Sequence, residues 1–194
     1  YSFTGICMRA ITVTGGFIRA NAGNDFVGSP ITLAGATNTF EPYAGVTLAL
    51  TGVVDGAGTL LKVNAGLLRL LRSEAYSGGT IVNAGVLSLE ASDAVQGAIG
   101  SSSGLTINNG AIVRVVTNDA LFGTNARPVM IVAGGTLLSS NASARLPGPV
   151  TLAGGALDGV NPTATRGNWL LGNAVDVVSN SAIGAARVQL GVAT

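Results

Sequence analysis

The sequence contains one literal match to the serine nucleophile pattern G-x-S-x-G, in the stretch from Gly100 through Ser102 to Gly104. In hydrolases of that kind the serine lies on a strand-to-helix turn, and a histidine accepts its proton. This chain contains no histidine. We therefore expect the five small residues to form a loop, and we predict no serine-based catalysis.

Paired carboxylates are a second possible source of chemistry, because glycoside hydrolysis needs two carboxyl groups about 5 to 9.5 Å apart. Glu90 lies near Asp93 in the sequence, and Asp93 and Asp119 would lie one repeat apart. The other acidic residues are mostly single, which is typical of solvated charges. The chain has one cysteine, Cys7, and no Gly-Gly-x-Gly-x-Asp calcium repeat. We therefore expect no metal, no cofactor and no enzymatic activity.

Aromatic side chains could form a surface on which sugar rings stack. The candidates for such a surface are Trp169 with the nearby Arg166, Tyr43 and Tyr76. A single aromatic residue in a loop more commonly covers the core. Because the candidates are isolated along the chain, the sequence favours this covering role.

Composition narrows the class of protein. Apolar residues make up 47% of the chain and charged residues only 10%, which disfavours an intrinsically disordered protein. Ten scattered Lys and Arg residues against nine acids predict no nucleic-acid surface. No uninterrupted apolar run reaches the roughly 18 residues that a membrane-spanning helix needs, so we expect no such span in this chain.

A short repeat is the strongest signal in the sequence. An aliphatic residue, two small or turn-forming residues, glycine, any residue and a second aliphatic residue recur in that order six times. The glycines of the six copies are Gly16, Gly66, Gly85, Gly110, Gly135 and Gly155. From Gly66 onward they are 19, 25, 25 and 20 residues apart. This spacing predicts that the last five occupy equivalent corners along one edge of a stacked structure.

The residues beside each corner alternate between apolar and polar, which is the period of a half-buried strand. Val86 to Leu89 and Ala111 to Val115 are examples. Each repeat is therefore predicted to consist of a strand, a sharp corner and a second strand. Asn64, Asn83 and Asn108 precede three of the corner glycines, and we expect them to cap the turns by bonding the backbone and one another between coils.

A period of about 19 to 26 residues predicts an all-β fold, a parallel β-solenoid whose coils stack about 4.8 Å apart. At that period, residues 1–194 form a single domain of roughly eight or nine coils, a rod on the order of 40 Å long. The alternative is an antiparallel β-sandwich or barrel. A sandwich gives no reason for one corner motif to recur six times, and it would bury more aromatic residues.

Residues 56–89 carry a longer pattern. A Gly-x-Gly-x-Leu-x-Lys start ends at Lys62, a Gly-x-Leu-x-Leu strand begins at Gly66, a Tyr-x-Gly-Gly-Thr corner runs from Tyr76 to Thr80, and a Val-Asn-Ala-Gly-x-Leu ending finishes at Leu87. This order resembles the passenger-associated repeat of bacterial autotransporters, also called the autotransporter-associated β-strand repeat. The resemblance implies a right-handed parallel β-helix on the outer surface of a bacterium or released from it.

Two functions follow from these observations. We predict a non-enzymatic structural protein of the cell surface or extracellular space, a stalk or fibre subunit. Neither end shows a polar cap, so we expect residues 1–13 of one subunit to meet residues 187–194 of the next, or the chain to continue into a longer polypeptide. The predicted self-association edges are Phe3, Ile11, Val13, Val188, Leu190 and Val192. The alternative is an adhesin module that binds glycans or a host surface through the loops between coils.

Overall fold

The computed structural model describes residues 9–91, 97–117, 121–140, 143–160, 168–184 and 187–190. Within these ranges every regular element is a β-strand, and there is no helix that could span a membrane. In chain order the strands are β1 (Ile11–Val13), β2 (Phe17–Ala20), β3 (Asn24–Val27), β4 (Ile31–Leu33), β5 (Thr37–Pro42), β6 (Thr47–Leu50), β7 (Val54–Gly56), β8 (Thr59–Lys62), β9 (Leu67–Leu70), β10 (Thr80–Val82), β11 (Val86–Leu89), β12 (Leu105–Ile107), β13 (Ile112–Val115), β14 (Val129–Val132), β15 (Thr136–Ser139), β16 (Ser143–Leu146), β17 (Val150–Ala153), β18 (Ala156–Gly159), β19 (Asn168–Leu171), β20 (Val175–Ser179), β21 (Ala182–Ile183) and β22 (Arg187–Leu190).

The strands form four sheets in which neighbouring strands run parallel. Sheet A contains β1, β4 and β7, and sheet D contains β16, β19 and β22. Sheet B has eight strands, in the order β2, β5, β8, β10, β12, β14, β17 and β20. Sheet C also has eight, in the order β3, β6, β9, β11, β13, β15, β18 and β21. Sheets B and C therefore run the length of the structure.

The path of the chain is that of a β-solenoid. Each coil passes from a strand of sheet B to the next strand of sheet C, and the strands of one sheet come from successive coils. We number the coils 1 to 8 by their sheet B strand. Eight strands leave seven steps between coils, so the chain makes about seven turns, slightly fewer than predicted. At about 4.8 Å a step, the stack is about 34 Å long.

The core consists of side-chain rows that run along the solenoid axis. One inward-facing row of sheet C is aliphatic in six successive coils, and its members are at most 1% exposed: Leu48, Leu68, Leu87, Val113, Leu137 and Leu157. The facing row of sheet B is fully buried: Phe40, Lys62, Val82, Ile107, Ile131 and Leu152. Similar side chains stack on one another in a narrow interior, which accounts for the small aliphatic composition. The prediction of an all-β solenoid is confirmed, and parallel pairing excludes the antiparallel sandwich.

The third side of the solenoid changes along the chain. Sheet A occupies it in the first three coils, and sheet D occupies it in the last three. Residues 71–79, after β9, form no strand. Their backbone still stays in register with β7, because Ala75 N donates to Val54 O and Ser77 N donates to Gly56 O, both at 2.8 Å.

Candidate functional site

The predicted corner glycines lie at the link between each sheet B strand and the following sheet C strand, which we call the B–C corner. The five from Gly66 onward are found there: Gly66, Gly85, Gly110, Gly135 and Gly155. Strand register stacks Gly85 on Gly66 and Gly155 on Gly135. The link before β13 is one residue longer than the link before β11, so Ala111 rather than Gly110 is level with Gly85.

Gly16 lies at a different place, the link between β1 and β2, which we call the A–B corner. A second glycine stack occupies this corner, made of Gly15, Gly35, Gly58 and Gly78. A Cβ atom at each of the last three would overlap backbone of the glycine one coil earlier. A Cβ atom at Gly16 would have no heavy atom within 4 Å. The motif search missed this stack because the residues around it do not repeat, although the glycines recur every 20 to 23 residues.

The corner asparagines act in two ways. Asn108 Nδ2 donates a hydrogen bond to Asn83 Oδ1 in the preceding coil, at 2.6 Å. Asn64 is the one non-glycine residue of the described ranges with positive φ, at 62°. Sequence analysis missed Asn38, a buried residue whose Oδ1 accepts from Gly15 N at 3.1 Å and whose Nδ2 donates to Gly35 O at 2.8 Å. Asn38 therefore holds the glycine stack together at the A–B corner.

Lys62, which ends the Gly-x-Gly-x-Leu-x-Lys pattern, is fully buried in the sheet B row. Its Nζ donates to the carbonyl oxygens of Val63 at 2.8 Å, Asn64 at 2.7 Å and Ala84 at 3.0 Å. Burial lowers the pKa of Lys62 to about 8, while the three carbonyls favour its charged form. The ammonium group ties the B–C corner of coil 3 to that of coil 4.

The serine of the G-x-S-x-G match belongs to a buried hydroxyl network. Tyr76 Oη lies 2.7 Å from Thr80 Oγ1, which lies 3.0 Å from Ser102 Oγ. Ser102 Oγ is also 2.9 Å from the Gly78 carbonyl and 3.0 Å from that of Gly104. Ser102 has no exposed surface, so a substrate cannot reach this hydroxyl. The Tyr-x-Gly-Gly-Thr corner thus supplies contacts between coils.

The carboxylates do not form a catalytic pair among the described residues. Asp93 and Asp119 lie outside those residues, and Glu90 is bound to Arg69 by an ion pair. Glu74 is 1% exposed, and its Oε2 accepts from Val54 N at 2.5 Å. Burial raises the pKa of this carboxyl to about 8. No group of three or more His, Cys, Asp or Glu side chains that could hold a metal ion occurs in the described ranges.

The aromatic candidates do not form one surface. Trp169 is 1% exposed, and its Nε1 donates to Asp158 O at 2.8 Å, so it covers the core. Tyr76 is fully buried, whereas Tyr43 is 42% exposed. Arg166 lies outside the described residues. Tyr43 instead belongs to a group missed in the sequence: the Arg19 guanidinium lies 4.4 Å from the Phe17 ring and 5.7 Å from the Tyr43 ring.

The predicted self-association edges are partly described. Ile11 and Val13 lie in β1, and Val188 and Leu190 lie in β22, paired with Trp169 and Leu171 of β19. Phe3 and Val192 lie outside the described residues.

The two ends of the stack differ in the exposure of their inward positions. In coil 8, Val177 and Ile183 are 57% and 48% exposed, although they continue the buried rows that contain Leu152 and Leu157. In the first coil, the same two rows contain Ile18 and Asp25, which are both half-buried. An apolar cross-section is therefore exposed at the coil 8 end.

Comparison of the chain with models of known protein families, with curated proteins and with solved structures gives no match. The autotransporter resemblance therefore stays a prediction.

Proposed function

We propose that the protein is a non-enzymatic structural component of the bacterial cell surface or extracellular space, a β-solenoid stalk or fibre subunit that associates end to end. The observation that carries the proposal is the exposed end of the two core rows. Val177 and Ile183 occupy positions that are buried in every preceding coil from coil 2 onward. A further coil stacked on them would remove their side chains from water and extend the parallel ladders of sheets B and C.

The first coil offers a complementary edge. Among the described residues, β2 and β3 are the first strands of sheets B and C, and each pairs on one side only. In the two core rows that end at Val177 and Ile183, the first coil contributes Ile18 and Asp25, which are both half-buried. Contact between the last coil of one molecule and the first coil of another is head to tail, and a head-to-tail contact that does not close produces a filament.

The non-enzymatic part of the proposal rests on the polar groups of the core. Lys62, Glu74 and Ser102 are buried, and each bonds backbone atoms of its own or an adjacent coil. These groups stabilise the solenoid, and at most 1% of each is exposed to a substrate in solution. We expect no hydrolase or lyase turnover on a panel of polysaccharides. Turnover that Asp93→Ala or Asp119→Ala abolishes would refute this part.

Electron microscopy of negatively stained protein tests end-to-end association. We expect particles of constant width whose length increases with protein concentration, and we expect Val177→Asp to shorten them to single units. Met130→Asp is the matched control, because Met130 is 46% exposed but lies in coil 6, away from the ends. Single short particles at every concentration would instead favour a segment that continues into a longer polypeptide.

The second candidate function is an adhesin module that binds glycans or a host surface. The exposed group of Phe17, Arg19 and Tyr43 favours it, because aromatic faces beside charged donors suit sugar rings. Arg19 also forms an ion pair with Glu41 at 2.7 Å. Phe17 and Arg19 lie on β2, and Tyr43 directly follows β5. The sequence had instead predicted a binding surface in the loops between coils. Loss of cell or glycan binding in Tyr43→Ala, with the fold retained, would support this function.

A further inference from the structure

The outer face of sheet C carries an open groove of about 620 Å³ that crosses several coils. One row of sheet C follows the groove, with Phe26, Ala49, Arg69, Ser88 and Arg114 in register on five successive strands. All of these except the fully buried Ser88 line the groove. Ala49 is the smallest of these side chains and leaves a depression between the Phe26 ring and Arg69. The groove runs along the solenoid axis, a shape that suits a linear ligand.

The charges at the coil 3 to 5 end of the groove do not balance. Arg69 binds Glu90 through two hydrogen bonds, Nε to Oε1 at 2.8 Å and Nη2 to Oε2 at 2.5 Å. Arg114 lies on the other side of Ser88, and the one hydrogen-bond acceptor that it meets among the described residues is the Ser88 hydroxyl, 3.2 Å from Nη2. The Glu90 carboxylate therefore pairs with Arg69 and leaves the positive charge of Arg114 in excess among the residues that line this end of the groove.

The opposite end of the groove has a different character. The Phe26 ring is 42% exposed there, and Asn24 and Thr47 add an amide and a hydroxyl to the lining. Asp25 also lines this end. It lies four coils from Arg114, about 19 Å away, which exceeds the screening length of about 8 Å at physiological ionic strength. Asp158 lies in the same outward row as Arg114, two coil steps or about 10 Å beyond it. Among the described residues, neither Asp25 nor Asp158 forms an ion pair with Arg114.

We propose that this groove binds an acidic polysaccharide, with a sugar ring against Phe26 above Ala49 and an acidic group of the same chain on Arg114. A guanidinium with unused donors is suited to a carboxylate or a sulfate, which it can bind through two parallel hydrogen bonds. The amide and hydroxyl groups suit the hydroxyls of the sugars. This inference does not depend on end-to-end association.

The charge pattern favours a polysaccharide over a nucleic acid. Nucleic-acid surfaces gain most of their affinity from several phosphate contacts made by clustered cations. The groove has two arginines, one of them already bound to Glu90, and the whole chain has a net charge of only +1. A ligand with many hydroxyl groups and widely spaced acidic groups matches this arrangement.

Nuclear magnetic resonance titration with a galacturonic acid hexasaccharide tests the proposal. We expect amide shifts on β3, β6, β9, β11 and β13, and no binding of neutral maltohexaose. Arg114→Ala should weaken binding about tenfold, as expected for the loss of a charge-assisted contact. Ala49→Trp should abolish binding by filling the floor with the charge intact. Arg9→Ala, which removes an exposed arginine that does not line the groove, is the matched control and should bind normally.

A heparin-derived hexasaccharide, which carries sulfates, distinguishes a preference for sulfate from a preference for carboxylate. Binding of either acidic oligosaccharide that is lost in Arg114→Ala supports the proposal, and the oligosaccharide that binds more tightly identifies the preferred acidic group. Circular dichroism confirms that each variant is folded. The proposal is overturned if neither acidic oligosaccharide binds, if Arg114→Ala and Ala49→Trp both bind as the wild type does, or if a single-stranded oligonucleotide binds the groove more tightly than both oligosaccharides.

Discussion

Glu74 and Lys62 are the buried ionisable residues whose contacts replace missing backbone partners. Val54 N lies beside residues 71–79, which form no strand, and the Glu74 carboxyl takes the position of a backbone acceptor there. Lys62 supplies a donor to three carbonyls at corners where the chain turns away from the sheet. Both side chains thus satisfy backbone groups that regular strand pairing leaves without partners.

Glu74 should make stability depend on pH. Its pKa is about 8 in the folded state against an ordinary value of 4.5, so the folded protein holds this proton more tightly than the unfolded chain does. The resulting stabilisation is fully present below about pH 4.5 and is lost as the pH rises through about 8. Urea unfolding across this range should show a falling free energy of unfolding for the wild type and a flatter profile for Glu74→Gln. Equal slopes in the two proteins would contradict this role of Glu74.

Replacing Lys62 by methionine keeps the length of the side chain and removes the ammonium group. We expect the free energy of unfolding to fall by about 1 to 3 kcal/mol, because carbonyls of Val63, Asn64 and Ala84 lose their donor. Leu152→Met, in the same row, is the control and should cost less than about 1.5 kcal/mol. Chemical denaturation measures both. A Lys62→Met protein at least as stable as the wild type would show that removing the buried charge outweighs the lost hydrogen bonds.

At the scale of the elements, two glycine stacks set how closely successive corners approach. At the A–B corner, Gly35 is limited by space, because its Cβ would overlap backbone atoms of Gly15. At the B–C corner, Gly85 is limited both by space and by a φ of 66°. A side chain at Gly35 or Gly85 would therefore force the neighbouring coil to move.

Gly35→Ala and Gly16→Ala form a matched pair at the A–B corner. We expect Gly35→Ala to lower the free energy of unfolding by about 1 to 3 kcal/mol or more, since the neighbouring coil must shift. Gly16→Ala meets no atom within 4 Å, so it should be neutral or slightly stabilising. Thermal unfolding followed by circular dichroism checks both. Equal effects of the two substitutions would mean that close approach does not determine the role of Gly35.

The sequence predicted the parts of each coil that repeat locally. Strands β10 and β11 and the corner between them follow from alternation and from Gly85. The third side was not predictable in the same way, because it is formed by sheet A, by residues 71–79 or by sheet D in different coils and has no common pattern. The position of Gly16 was not predictable for a related reason, since the same local motif occurs at both the A–B corner and the B–C corner.

The sequence also did not predict which polar side chains are buried. Asn38 and Lys62 face inward because strand register aligns them with apolar residues of neighbouring coils, and that register is a property of the stack. Ser102 lies outside the strands and is held inside by hydrogen bonds to its own and the preceding coil. The groove on sheet C also depends on the register between coils and was therefore not predictable from the sequence. Arg69 and Arg114 are 45 residues apart in the sequence, and they approach each other only because two coil steps separate their strands.

At the scale of the whole molecule, the two long sheets make the protein an extended stack with two different ends. The rows that stabilise the interior reach the coil 8 end, where Val177 and Ile183 remain exposed. An exposed apolar cross-section bordered by strand edges favours addition of another coil. The proposed function as a stalk or fibre subunit follows from this end, and the proposed acidic polysaccharide site lies on a side face that end-to-end association leaves open.

Sedimentation velocity over a wide range of protein concentration tests end-to-end association most directly. We predict that the sedimentation coefficient and the frictional ratio both increase with concentration, as rods lengthen by whole subunits. Val177→Asp should remove this dependence, and Met130→Asp should retain it. A monomer of constant mass at every concentration, with the Val177→Asp protein sedimenting identically, would contradict the account.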